Sequence, residues 1–193
     1  MGCHHAGMVS GHQPFIGSEA LAAGELSRHE LRKYYRAIMP NVYMKKRVEP
    51  SLRQRTIAAW LWSHRQAVIA GAAASAMHGA KWTDDGAPVE LIWCNARAPQ
   101  RVLTRHELLL RDEFQRLDGL NVTTPERTAF DIGRRGSLIR AVAGLDALAA
   151  ATDFKVRDVE ELAGSIDIRV VFANCRPRWI WSTPELSRRR RRG

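Results

Sequence analysis

No stretch of the sequence approaches the ~18–20 consecutive apolar residues that a membrane-spanning helix requires. Residues 1–13 lack both a basic n-region and an apolar h-region, so no secretory leader is expected. Cysteine is scarce and odd in number. Cys3, Cys94 and Cys175 are too scattered to form a disulfide framework. These absences point to the cytosol. Metal-ligand spacing is missing too: Cys3, His4, His5 and His12 match no closed zinc site, and their Gly-containing segment reads as a disordered terminus in which Met8 rivals Met1 as the start. His78 beside Gly79 has no nucleophile or carboxylate motif to accompany it, and it reads as a structural or capping histidine. No catalytic residue, metal or cofactor is expected.

Acidic residues are in deficit. The 193-residue chain carries 30 Lys and Arg against 20 Asp and Glu, a formal net charge of +10. The excess sits at the two ends, with +5 in residues 1–60, +6 in residues 171–193 and −1 between them. A compact basic head is the electrostatic footprint of nucleic-acid binding, and equally of a solubilising surface. With 45% hydrophobic residues the rest reads as an ordinary globular chain.

Residues 14–48 carry the punctuation of a small helix-turn-helix. Ser18 can cap a short helix from Glu19 to Ala23, stopped by Gly24. Ser27-Arg28-His29-Glu30 is a capping box that opens a second helix running to about Ala37, with Leu31 and Tyr35 on one face. Ile38-Met39 and Val42-Tyr43-Met44 read as short strands around a Pro40-Asn41 turn, followed by Lys45-Lys46-Arg47. Helix, turn, basic helix and basic hairpin together form the order of a winged helix-turn-helix. Because a major groove admits one helix by its N-terminal residues, Arg28, His29, Arg32 and Lys33 are candidates for base edges. Arg36, Lys45, Lys46 and Arg47 are candidates for phosphates. The alternative is a helical hairpin with a solvated charged face.

From about Pro50 to Trp82 the pattern is helical, with Leu52, Ile57, Trp60 and Leu61 on one face. The small-residue run Ala67–Ala80 reads as a short buried strand or turn and then a close-packing helix. Trp60, Trp62 and Trp82 are assigned to core and rim. Residues 84–168 are mixed. Strands are expected at Val89–Trp93, Val102-Leu103, Leu108–Leu110 and Leu120–Val122, with a polar connection at Arg111-Asp112-Glu113. Thr124 caps a helix with Pro125 in its first turn, and apolar periodicity continues through Leu148. A last helix covers Asp153–Ala163. The fold class is α+β: residues 1–13 disordered, 14–48 a winged helix-turn-helix, 49–165 a mixed second domain and 166–193 a basic tail.

Two stretches carry a family resemblance. One is Phe15–Gly24 with Leu26–Arg32 and the turn Met39–Tyr43. The other is Val122-Thr123-Thr124-Pro125-Glu126-Arg127-Thr128-Ala129-Phe130-Asp131. Over roughly residues 14–165 the chain resembles the AbiEi-type antitoxin of abortive-infection AbiE systems, in its actinobacterial form. The resemblance implies an autorepressor that binds operator DNA through Arg28–Arg36 and the Lys45–Arg47 wing. It also implies that the remainder counters a nucleotidyltransferase-like toxin encoded nearby. An electropositive toxin cleft would be complemented by Glu107, Asp112, Glu113 and Asp118, which otherwise read as a solvated face interleaved with Arg105, Arg111 and Arg116.

Longer relatives continue into a domain like the very-short-patch-repair and restriction nucleases, which needs carboxylates and a lysine converging on Mg²⁺. Glu90 is followed by Leu91-Ile92, and no Lys lies after Lys155, so that domain is not expected here. Residues 171–193 end in five arginines, and a codon choice exists whose shifted frame reads as an amphipathic helix. A frameshift near Gly164 is therefore expected, against a genuine basic arm. The rival functions are an inactive fragment of a nuclease-like protein and a plain DNA-binding regulator.

Overall fold

Local signals set most of the helices. The computed structural model describes residues 12–81, 86–95, 97–135 and 137–173, with 165–173 as backbone only. The Cys3-His4-His5 cluster, Trp82 and the arginine tail lie outside the described residues. Ser27 opens α2 (Arg28–Tyr34) through the expected capping box, and Ser51 with Gln54 repeats that device at the start of α3 (Leu52–Trp62). The first helix, α1 (Gly17–Ala22), is capped differently. Its flanking residue is Ile16, and Ser18 does not cap it from its own chain position. Asn41 does this from across the turn. Its carbonyl accepts from the Gly17 N–H at 2.9 Å, and its side-chain oxygen accepts from the Ser18 N–H at 3.1 Å.

The N-terminal sheet is antiparallel in the order β1 (Phe15–Ile16), β3 (Val42–Lys45), β2 (Tyr35–Met39). The chain leaves the helix at Tyr34 rather than at Ala37, because Tyr35, Arg36 and Ala37 pair with Lys45, Met44 and Tyr43. The ladder ends the helix, and Tyr35 packs edge-on against Phe15 at its start.

The second sheet is mixed, in the order β6 (Val102–Arg105), β5 (Val89–Ile92), β4 (Val68–Ala70), β8 (Leu120–Thr123), β7 (Phe114–Leu117). β4 is buried throughout, as a central strand with parallel β8 on one side and antiparallel β5 on the other should be. The strand expected at Leu108–Leu110 does not form. Leu109 packs on Val68, Ala70 and Ile92 at one face of the sheet, while Leu108 and Leu110 are exposed. The fifth strand is β7, joined to β8 by the two-residue turn Asp118-Gly119. Both residues have positive φ, +50° and +81°, as a type I′ hairpin requires.

Helix α4 (Gly71–Met77) follows β4 directly. Thr124 caps α5 (Pro125–Gly133), and the apolar run beyond it breaks into a separate α6 (Leu138–Ala149). The last helix, α7 (Val156–Ala173), runs past the boundary set at residue 165. Ile16, Met39 and Val42 from the N-terminal part share one apolar core with Leu52, Ala58, Ala59, Ile69 and Val89, so the division at 48/49 falls within that core. The architecture is mixed α+β, and no helix among the described residues is long and apolar enough to cross a membrane.

Candidate nucleic-acid interface and internal ion-pair network

The only acid of α2 is taken up by its own cap. The Ser27 N–H donates to Glu30 at 2.8 Å and the Glu30 N–H donates to the Ser27 hydroxyl at 3.2 Å. The Ser27 N–H, and then the Ser27 hydroxyl donating to Glu30 Oε2 at 2.7 Å, hold the Glu30 carboxyl below its usual range. Arg28, His29, Arg32 and Lys33 are all exposed on the same helix. At its C-terminal end the hairpin is stitched on. The Lys46 ammonium donates to the Arg32 carbonyl at 2.6 Å, and the Lys46 N–H donates to the Tyr34 carbonyl at 3.0 Å. Lys46 thus serves as a clamp at the negative end of the helix. Lys45 and Arg47 flank it, exposed.

Arg36 does not join this face. It pairs in register with Met44, whose side chain is fully buried, so its guanidinium turns toward the inner side of the hairpin. There it donates to the Val48 carbonyl at 3.0 Å and to Glu49 at 2.8 Å. The guanidinium expected to meet phosphate makes an ion pair within the chain.

The four acidic residues expected to form one surface are also separated. Glu113 is 2% exposed, and Glu107 is drawn inward by three arginines. Asp118 occupies the β7–β8 turn and pairs with Arg53 at 2.5 Å, which leaves Asp112 exposed in the preceding loop.

What Glu107 and Glu113 build instead is an internal network. Arg127, 2% exposed on α5, reaches Glu107 at 2.5 Å, Glu113 at 3.2 Å and the fully buried Asp131 at 3.4 Å. Arg134 contacts both Glu107 and Asp131. Arg135 reaches Glu107 at 2.5 Å, Glu90 at 3.0 Å and Asp131 at 3.2 Å, and Arg105 closes the chain on Glu90 at 2.8 Å. Four guanidiniums therefore face four carboxylates, which ties β5, β6, the loop before β7 and α5 together.

Burial alone would raise the Glu107 carboxyl. The charges of Arg135, Arg134 and Arg127 together outweigh it and hold the group below its ordinary 4.5. Burial wins at Asp131, whose carboxyl lies above its ordinary 3.8. The signs differ accordingly. Glu107 contributes stability that is complete above pH 4.5 and is lost as pH falls through its lowered value. Asp131 opposes folding above its raised value and is relieved as pH falls. Glu107→Gln is expected to lower the urea midpoint at pH 7 and to lower it by less as pH falls below 4.5, so the variant's midpoint varies less with pH than the parent's. A loss that stays constant as pH falls well below 4.5 would contradict this assignment.

The sequence reading missed Arg127, Arg134, Arg135, Asp131 and Glu90 as a group. The local signal was the i,i+4 spacing of Arg127 with Asp131 on α5 and of Asp131 with Arg135 just past its end. The remaining partners arrive from strands far away in sequence. The His78 Nε2 lies 2.7 Å from the Thr123 carbonyl.

A search among curated proteins returns no match. The family model of the AbiEi antitoxin C-terminal domain matches residues 59–174, more than half the chain. The matched span begins inside α3, takes in the whole five-stranded sheet, and runs through α7, so the ion-pair network lies entirely within it. The chain belongs to this family, and its role is that of an antitoxin in a toxin–antitoxin system.

Proposed function

We propose that this antitoxin binds operator DNA through α2 and the end of β3, represses its own operon, counters a nucleotidyltransferase-like toxin and has no catalytic activity of its own. The observation that carries the DNA reading is the exposed basic face: Arg28, His29, Arg32 and Lys33 on α2 beside Lys45 and Arg47, with Glu30 withdrawn into the cap. A helix about 10–12 Å across fits a major groove about 12 Å wide and meets base edges with its N-terminal turn. A protein partner for the second domain is supported by the outward face of α6, where Leu138 and Ile139 are 78% and 83% exposed beside Val142. Asp112 and Asp118 are the acidic residues still exposed for such a partner.

The test is fluorescence anisotropy of the full chain on duplexes from its own upstream region. Arg28→Ala and Arg32→Ala are expected to cost about 1–3 kcal/mol each and to relax sequence preference. Lys45→Ala and Arg47→Ala are expected to weaken all duplexes alike and to reduce the salt slope by about 0.9 per lost phosphate contact. Unchanged affinity and slope in the combined variant would sink the reading.

A further inference from the structure

The outer face of the N-terminal sheet is aromatic. Ile16, Val42 and Met44 point to the buried side, so Phe15, Tyr43 and Lys45, which alternate with them along β1 and β3, point away from it. Tyr35 and Ala37 of β2 stand opposite Lys45 and Tyr43 and share that outer face. The rings form a cluster. Phe15 meets Tyr35 edge-on, with centroids 5.0 Å apart, and lies beside Tyr43 at 6.3 Å. Gly17 lets the Tyr43 ring lie against the backbone, because a Cβ there would come to 2.5 Å from Tyr43 Cε2. All three rings keep part of their surface open to solvent, and Ala37 and Lys45 are exposed among them. None of residues 15–16, 35–39 and 42–45 is acidic. Lys45 is the charge these strands put on the outer face, and Arg47 follows just past β3, exposed. Among the described residues neither side chain makes an ion pair, and the Tyr35 and Tyr43 hydroxyls make no hydrogen bond.

We propose that this sheet face binds single-stranded RNA. Unpaired bases stack on aromatic side chains whatever their identity, while neighbouring cations follow the phosphates. A duplex keeps its base faces inside its own stack, so a cluster of rings on a sheet suits an unpaired strand. Phenol hydroxyls left without partners can bond the ribose 2′-hydroxyl, which both donates and accepts and distinguishes RNA from DNA. The face is separate from the base-reading side chains of α2, and the proposal does not depend on the duplex reading.

Fluorescence anisotropy of the full chain with labelled oligouridine about ten nucleotides long, within the usual site size, tests the proposal. Oligothymidine of the same length and a duplex from the upstream region are the comparisons. Oligouridine is expected to bind more tightly than oligothymidine. Tyr35→Leu and Tyr43→Leu should each weaken it about tenfold, the scale of one lost stacking platform. Tyr35→Phe and Tyr43→Phe keep the rings, and should lose the preference for RNA while still binding. Duplex affinity stays at the parent's value in all four variants, so failure of the duplex reading and failure of this site are told apart. Photocrosslinking of thiouridine-substituted oligouridine to the parent needs no variant, and should map to peptides holding Phe15, Tyr35 or Tyr43. The proposal is overturned by absence of oligouridine binding at low salt, by crosslinks confined to other peptides, or by parental affinity in the double leucine variant. Oligothymidine binding as tightly as oligouridine overturns the assignment to RNA. Duplex affinity that falls in step with oligouridine affinity would give the face to the duplex instead.

Discussion

Arg127→Ala is expected to cost about 3–5 kcal/mol of folding stability, the range for removing one partner of a buried ion pair. Arg127 is 2% exposed, and its guanidinium lies between Glu107, Glu113 and Asp131. Without it the carboxylates of Glu113 and Asp131 stay enclosed with one positive charge fewer to balance them. The loss comes from the charges left behind and not from the space vacated. Arg127→Met, which fills most of that space, should therefore fall within about 1 kcal/mol of Arg127→Ala. Urea denaturation reads this as a lowered midpoint at an unchanged slope. Recovery of parental stability by methionine would mean that packing, not charge, holds α5 in place.

Gly71→Ala is the second large effect. Gly71 has φ +58°, so any side chain there costs roughly 1–3 kcal/mol in backbone strain alone. An added Cβ would also lie 2.7 Å from Glu90 Oε1 and 2.9 Å from its carboxyl carbon. Glu90 cannot simply swing away, because Arg105 and Arg135 hold it at 2.8 and 3.0 Å. The expected loss exceeds the backbone figure and couples to the network. Measured as a double-mutant cycle, Gly71→Ala with Glu90→Ala should cost less than the sum of the two single variants. Strict additivity would show that the close approach between α4 and β5 carries no energetic weight.

The features legible in the sequence are those written within four residues of one another. Ser27 with Glu30, Thr124 with Pro125 and Pro40 with Asn41 all act where their spacing places them. The end of α2 was misread because Tyr35 continues a helical apolar spacing, yet β3 claims it as a strand partner. β7 was missed because it is an edge strand in which Gln115 and Arg116 face solvent, while the more apolar Leu108–Leu110 makes no ladder. The network was unreadable for a different reason. Arg135 and Glu90 are 45 positions apart, and only the crossing of β5 with the end of α5 brings them to 3.0 Å. Arg36 shows the same limit on a smaller scale, since its direction depends on the register that sets it opposite Met44.

The core shared by Ile16, Met39 and Val42 with α3 and the second sheet joins the hairpin to the second domain, while Met44, Leu31 and Ala20 are buried outside that shared core. The basic face and the sheet are therefore expected to melt in one transition, so that the free energy of occupying either is shared by both. A duplex bound at α2 would slow proteolysis of α5 and raise its hydrogen-exchange protection, though it touches neither. A protein seated on α6 would in turn make the hairpin harder to open. Grafting residues 14–48 onto another protein would strand Ile16, Met39 and Val42 in water, so this segment cannot be exchanged without the body that folds it.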